Sequence, residues 1–160
     1  AWIIKTLEHC RKFNNQYLFQ TKNPDRVLYF LEYMPIYSTF CITIETNRVY
    51  PEIMGNCPSP RKRVDDIIKL NESSFNELYL TVEPVMDFDL KEFVDMLELC
   101  EAKQINIGAD SGNNKLPEPS KDKLQALINE IQRFSHIHNK RNLKRILNSL
   151  EQTEKRETKF

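Results

Sequence analysis

A chain of 160 residues with 40% hydrophobic and 29% charged side chains has the make-up of one folded domain, and at this size folding buries roughly two thirds of the surface of the extended chain. Twenty-three basic residues balance 23 acidic ones, so no overall field favours nucleic acid or an anionic membrane. No apolar run approaches the roughly 18 residues of a membrane span, and no short apolar segment behind a basic start resembles a signal peptide, which makes a cytoplasmic setting the expectation.

Ile3, Ile4, Leu7 and Cys10 recur at helical spacing among charged residues, so the chain is expected to open on a helix over 2–13. After Asn14-Asn15, Tyr17-Leu18-Phe19 reads as a short buried strand running into Gln20-Thr21-Lys22. Asn23-Pro24 has the form of a helix start, an amide cap followed by a proline that loses no needed N–H. Val27, Leu28, Phe30, Leu31 and Met34 then face inward until Pro35 ends that helix.

A second strand is expected over 38–44, ending in Glu45-Thr46-Asn47. Ser59-Pro60 repeats the cap-plus-proline device for a helix through Leu70, after a long loop over 48–59. Leu78 to Val82 reads as the third strand, ending at Glu83-Pro84. Asp89 and Glu92 are placed like an acidic capping box for a helix over 90–102. A fourth strand over 104–107 ends in Gly108-Ala109-Asp110-Ser111-Gly112. Ser120 is expected to cap a long helix carrying Leu124, Leu127, Ile128, Ile131 and Phe134, with His136 and His138 on different faces of a helical continuation, where they read as surface histidines rather than metal ligands. A last amphipathic stretch carries Leu143, Ile146, Leu147 and Leu150, and 151–160 reads as a charged, frayed tail.

Cys10, Cys41, Cys57 and Cys100 are widely spaced and form no CxxC pair, so neither a structural zinc site nor a disulfide framework is expected. Three of them read as packing residues. Cys57 lies in a Gly-Asn-Cys-Pro loop without an evident thiolate-supporting neighbour in sequence.

Helix and strand alternate with crossovers too long for hairpins, which predicts an α/β fold with parallel strands in a layer or barrel. The nearly all-apolar strands predict cover on both faces. Ligands in such folds bind at the carboxyl ends of the strands, here Thr21-Lys22, Glu45-Thr46-Asn47, Glu83-Pro84 and Asp110-Ser111. A carboxylate after a buried strand needs a partner, water or a cleft. For Glu45 the structural alternatives are capping a neighbouring helix or pairing with Arg63; for Glu83, a salt bridge with Lys22; for Asn47, a turn. The carboxylates Glu45, Glu83 and Asp110 suit acid/base chemistry, metal binding or hydrogen bonding to ribose hydroxyls and amines, and sequence alone does not choose. The glycines around Asp110 lack the GxGxxG pattern and the P-loop lysine, and Ser111 lacks the GxSxG surround of a nucleophile elbow.

The order Thr21-Lys22-Asn23-Pro24-Asp25-Arg26, Ile42-Thr43-Ile44-Glu45-Thr46-Asn47 followed by Arg61 or Arg63, Thr81-Val82-Glu83-Pro84-Val85-Met86 and Ile107-Gly108-Ala109-Asp110-Ser111-Gly112 resembles the second half of radical S-adenosylmethionine (SAM) proteins, in particular the uncharacterised phage and archaeal group. The resemblance spans roughly 17–112 and rests on order and spacing. It implies four parallel βα units of a partial (βα)6 TIM-like barrel over 1–119, preceded by a helix and followed by a helical segment over 120–150 that packs on the barrel. It also implies that Lys22, Glu45, Asn47, Arg63, Glu83, Asp110 and Ser111 line the SAM or substrate cavity. Asp110 stands where the family has Glu, and Ala109 where it has Gly.

The family's CxxxCxxC loop, which holds the 4Fe-4S cluster, is absent from this chain, so a truncated chain is the expectation. The missing N-terminal part or another chain would complete it, and the full-length form would cleave SAM reductively to a 5′-deoxyadenosyl radical. The rival expectation is a non-catalytic α/β half-barrel that self-associates or assembles with a partner through its open sheet edge. A third, nucleic-acid binding by the tail, rests only on seven basic against three acidic residues from Asn139 onward.

Overall fold

The structure, a computed structural model, describes residues 2–74 and 76–148. Leu150 and the expected tail over 151–160 lie outside the described residues.

Helix α1 (Trp2–Cys10) leads into strand β1 (Tyr17–Thr21) and the single turn α2 (Asp25–Leu28). Asn23 Oδ1 accepts from the N–H of Arg26 at 3.3 Å, as its capping role requires. The expected helix through Met34 is nevertheless broken: α2 gives way to a 3-10 turn at Leu31–Tyr33 before Pro35. Strand β2 (Ser38–Thr43) follows, then the short α3 (Pro51–Met54) inside the expected loop, and α4 (Pro60–Ser73). Ser59 caps α4 by accepting from Lys62 N, with Pro60 at the first helical position.

Strand β3 (Glu77–Val82), α5 (Leu90–Glu98), β4 (Gln104–Ile107) and α6 (Lys121–Ile131) continue the alternation. Ser120 caps α6 through Lys123 N. Asp89 occupies the cap position of α5, but its side chain makes no capping bond. Its carboxylate is held by Arg48 instead, while Asn47 Oδ1 accepts from Asp89 N and Asn47 Nδ2 donates to Glu92 Oε2 at 2.7 Å. The expected capping box is thus replaced by an amide that arrives from the end of β2.

His136 and His138 are not helical. Helix α6 stops at Ile131, Ser135 Oγ donates to Ala102 O at 2.8 Å, and His136 N donates to Lys103 O at 3.3 Å. These bonds lay 136–139 beside β4 as a fifth strand, β5 (His136–Asn139). A 3-10 turn at Arg141–Leu143 and α7 (Lys144–Leu147) then return Leu143 and Ile146 to the core.

The fold is therefore α/β with one five-stranded, all-parallel sheet in the order β1-β2-β3-β4-β5. Alternate strand residues Phe40, Ile42, Leu78, Leu80, Val82, Ile105 and Ile107 join the core with Val64, Ile67, Phe93, Met96, Leu97, Leu124, Leu127 and Ile131 from α4, α5 and α6. Side chains alternate along a strand, so the intervening residues face the other way. In register they form a row of Gln20, Cys41, Tyr79, Gln104 and His136, and above it Thr43, Thr81, Asn106 and His138. Gln20, His136 and His138 are exposed, and Tyr79, Gln104 and Asn106 are half-buried. The expectation of cover on both faces holds in full for one face only: that face is apolar and packed, while the other carries a mostly polar series in which Cys41, Thr43 and Thr81 are buried and Gln20, His136 and His138 are exposed.

The packed face is held chiefly by aromatic and aliphatic burial. Phe93, wholly buried, lies 5.1 Å ring to ring from Phe88. Phe93→Ala should cost about 3–5 kcal/mol of stability, measured by urea unfolding.

Candidate functional site

The carboxyl ends of the strands carry Lys22, Glu45, Glu83, Gly108 and Lys140 in sheet order. Glu45 follows Ile44, which anchors in the core, and so emerges on the polar face while remaining only 2% exposed. Two cations satisfy it. Arg63 Nη1 donates to Glu45 Oε2 at 2.6 Å, and Lys22 Nζ pairs with Glu45 Oε1. Arg63 is itself wholly buried and also donates to Thr43 O at 2.8 Å, Pro58 O at 2.7 Å and Cys57 Sγ at 3.0 Å. Burial alone would raise the pKa of Glu45, but the Lys22 hydrogen bond and the Arg63 charge outweigh it and hold the carboxyl below its ordinary value.

Glu83 pairs with Lys140 rather than with Lys22, the partner that sequence suggested. Lys140 stands two strands away, beyond β4. The reach is open because β4 ends in Gly108: a Cβ there would lie 2.5 Å from Glu83 Oε1 and 2.7 Å from its Cδ. Asn142 Nδ2 donates to Ala109 O at 2.8 Å and lies 3.4 Å from Glu83 Oε1. A missed strand thus supplies Lys140, and the turn after it supplies Asn142.

The other expected site residues fall elsewhere. Asn47 braces α5, as described. Asp110 accepts from Gly112 N at 2.9 Å, Asn114 N at 2.5 Å and Asn114 Nδ2 at 2.8 Å. It organises its own loop. Desolvation raises its pKa, but the Gly112 and Asn114 bonds outweigh this and leave it lowered. Ser111 is exposed on that loop, beside a cavity of about 340 Å³ lined also by Asn113, Lys115, Glu118 and Arg145. Arg63, wholly buried, serves Glu45 from within. Lys22, Glu45 and Glu83 are the expected residues that share the polar side of the rim.

Sequence reasoning gave no site role to Gln20, Tyr79, Asn106 and Lys140, and put His136 and His138 on a helix. Their signal was alternation: Cys41-x-Thr43-x-Glu45, Tyr79-x-Thr81-x-Glu83, Gln104-x-Asn106-x-Gly108 and His136-x-His138-x-Lys140 place one polar series at period two. Gln20 Nε2 donates to Thr43 Oγ1 at 3.4 Å and Gln104 Nε2 to Asn106 Oδ1 at 2.8 Å, so hydrogen bonds already run across this face, one of them between neighbouring strands.

The cysteines occupy separate elements. Cys41 and Cys100 are buried, and desolvation pushes the Cys100 thiol up to about 12. Cys10 and Cys57 are half-buried, and Cys57 Sγ donates to Met54 O at 2.8 Å. Among the described residues, no group of three or more His, Cys, Asp or Glu side chains could hold a metal ion, and no helix is long and apolar enough to cross a membrane.

The fold is similar to that of SuiB from Streptococcus suis, with a TM-score of 0.60 at 10% sequence identity. The match covers 86% of this chain and 36% of SuiB, so the chain spans about a third of that protein's length. At this identity the likeness concerns fold. No family model and no curated protein matches the chain.

Removing one partner of a buried ion pair leaves an uncompensated charge. Arg63→Met should therefore destabilise the protein by about 3–5 kcal/mol in urea unfolding, and the double variant Glu45→Gln/Arg63→Met should recover part of that loss. A pH dependence follows from the depressed pKa of Glu45. Its folded value lies below its unfolded one, so its contribution is complete above the usual glutamate range and is lost as pH falls through the folded value. Stability across this acid range should fall more steeply for the native chain than for Glu45→Gln; parallel profiles would refute the assignment.

Proposed function

We propose that the chain is the C-terminal part of a radical SAM enzyme, in which the five strands form one side of a partial (βα)6 TIM-like barrel and the rim lines the SAM or substrate cavity. The observation that carries this reading is the sequential strand order combined with one packed and one polar face. Right-handed crossovers between strands laid down in order put every helix on the same side, as in a barrel wall. A doubly wound sheet reverses its order and covers both faces. The rim lies at the carboxyl ends of the strands, the side on which parallel α/β folds bind ligands. The resemblance in the segments around Lys22, Glu45, Glu83 and Gly108 points the same way.

The residues fit SAM better than they fit a 4Fe-4S cluster. The four cysteines are dispersed, so the described residues do not provide the cluster's three ligands. Those ligands would belong to a segment outside this chain. SAM presents a carboxylate, an amine and ribose hydroxyls. Lys22, with 44% of its side chain exposed, suits the carboxylate, and Glu83, 22% exposed, suits the amine or the hydroxyls. Glu45 holds Lys22 in place, and Asn47 fixes the start of α5 beside the rim.

A second reading, a non-catalytic half-barrel that assembles with a partner chain or self-associates, is favoured by one observation. An apolar groove of about 340 Å³ lies beside β1 at the edge of the sheet, lined by Trp2, Ile3, Phe19, Val27, Phe30 and Met34 among others, with Trp2 84% exposed.

Calorimetric titration of SAM into the full-length protein separates the readings. Glu83→Gln and Lys22→Ala should each weaken SAM binding by about tenfold or more, the loss of one charge-assisted hydrogen bond, while circular dichroism stays unchanged. Gly108→Ala should weaken it too by displacing the Glu83 carboxylate without removing its charge. A full reading frame without a CxxxCxxC loop, or SAM affinity indifferent to all three changes, would overturn the first reading. A stable oligomer without SAM affinity would favour the second.

A further inference from the structure

Strand β5 places His136 and His138 on one side of the backbone, because residues two apart on a strand share a face. Ile137 between them packs against the core, which fixes the two imidazoles on the polar face. Both residues are exposed, and neither ring is hydrogen-bonded to another described residue. Among the described residues their nitrogen lone pairs are therefore uncommitted. The strand is paired through its backbone to β4, so the two rings are carried on a rigid support rather than a loop.

We propose that His136 and His138 form a two-imidazole chelate for a divalent transition metal of the zinc, nickel or copper type. Imidazole nitrogen suits these ions, whereas magnesium and calcium prefer oxygen donors. Once one ring has bound the ion, the second meets it at high effective concentration, so the pair binds much more tightly than either ring alone. Lys140, the next residue on the same face, is paired with Glu83. Gln104 and Asn106 stand at the paired positions on β4 and contribute amide groups rather than charge. Two protein ligands leave coordination positions to water or to donor atoms of a bound substrate. The site is thus an accessible one on the polar face, unlike a closed structural zinc centre. Nothing in this site depends on SAM binding at the rim.

The test is calorimetric titration of Ni²⁺ into the untagged protein under reducing conditions, with paramagnetic broadening of amide resonances to locate the ion. The expected result is one ion bound, with broadening centred on 136–138. His136→Ala and His138→Ala should each weaken binding by about a hundredfold or more, as expected when a chelate becomes a single ligand. His9→Ala should leave it unchanged, because His9 lies on α1 with its neighbour Cys10 rotated to a different direction. Both strand histidines are exposed, so the variants should keep the native circular dichroism spectrum. Binding retained in either single variant, binding abolished by His9→Ala, or no binding by the native chain would overturn the proposal.

Discussion

The structure depends on one constraint: five parallel strands laid side by side in chain order, with α4, α5 and α6 packed against a single face. That geometry divides every strand into two series. One carries Phe40, Ile42, Leu80, Val82, Ile105 and Ile107 into an apolar core. The other carries Gln20, Thr43, Tyr79, Thr81, Asn106 and His138 to the opposite face. A polar strand residue in this protein is consequently a statement about which face it occupies, and the rim residues are the last members of the polar series.

The helical layer also acts on the rim electrostatically. Arg63 belongs to α4 in the packed layer, yet its guanidinium reaches the end of β2 and holds both Thr43 O and Glu45. A fully buried guanidinium is costly unless its donors are satisfied, and here carbonyls, a carboxylate and the Cys57 sulfur satisfy them. On the other side of the rim, Arg48 and Lys123 enclose Asp87, and Arg48 also grips Asp89. Desolvation raises the pKa of Asp87, but Lys123 and Arg48 outweigh it and lower it overall. These contacts join the loop after β2 to the starts of α5 and α6, so the loops above the sheet are cross-linked by charge.

Most of the alternation was legible from sequence because its punctuation is explicit: Asn23-Pro24, Pro35, Ser59-Pro60, Pro84 and Ser120 each mark an element boundary. The fifth strand was not legible. His-Ile-His-Asn is short and polar, follows α6 with no Gly or Pro between them, and has a single apolar residue to signal a face. Its identity comes from tertiary bonds to Ala102 and Lys103. Missing β5 hid Lys140 and assigned Glu83 the wrong partner. The pairing of Glu45 with Arg63 stood among the alternatives visible from sequence, since a carboxylate after a buried strand needs a counter-charge. Asp110 shared the same sequence signature, but its nearest donors were the backbone and side chain of its own loop.

The two rim ion pairs are unequal in what they can release. Glu45 is buried and keeps Arg63 whatever Lys22 does, so Lys22, with much of its side chain in solvent, can exchange Glu45 for a ligand anion without stranding a buried charge. Glu83 has no such reserve: without Lys140 it retains, among the described residues, only Asn142, yet its carboxylate is partly solvated and tolerates the change. The same rim therefore offers an exchangeable cation over a fixed carboxylate at β1 and β2, and an exchangeable carboxylate over Gly108 at β3. On the proposed reading, a ligand carrying both an anionic and a cationic group would be held at these two places together, because each exchange supplies the opposite charge where it is needed.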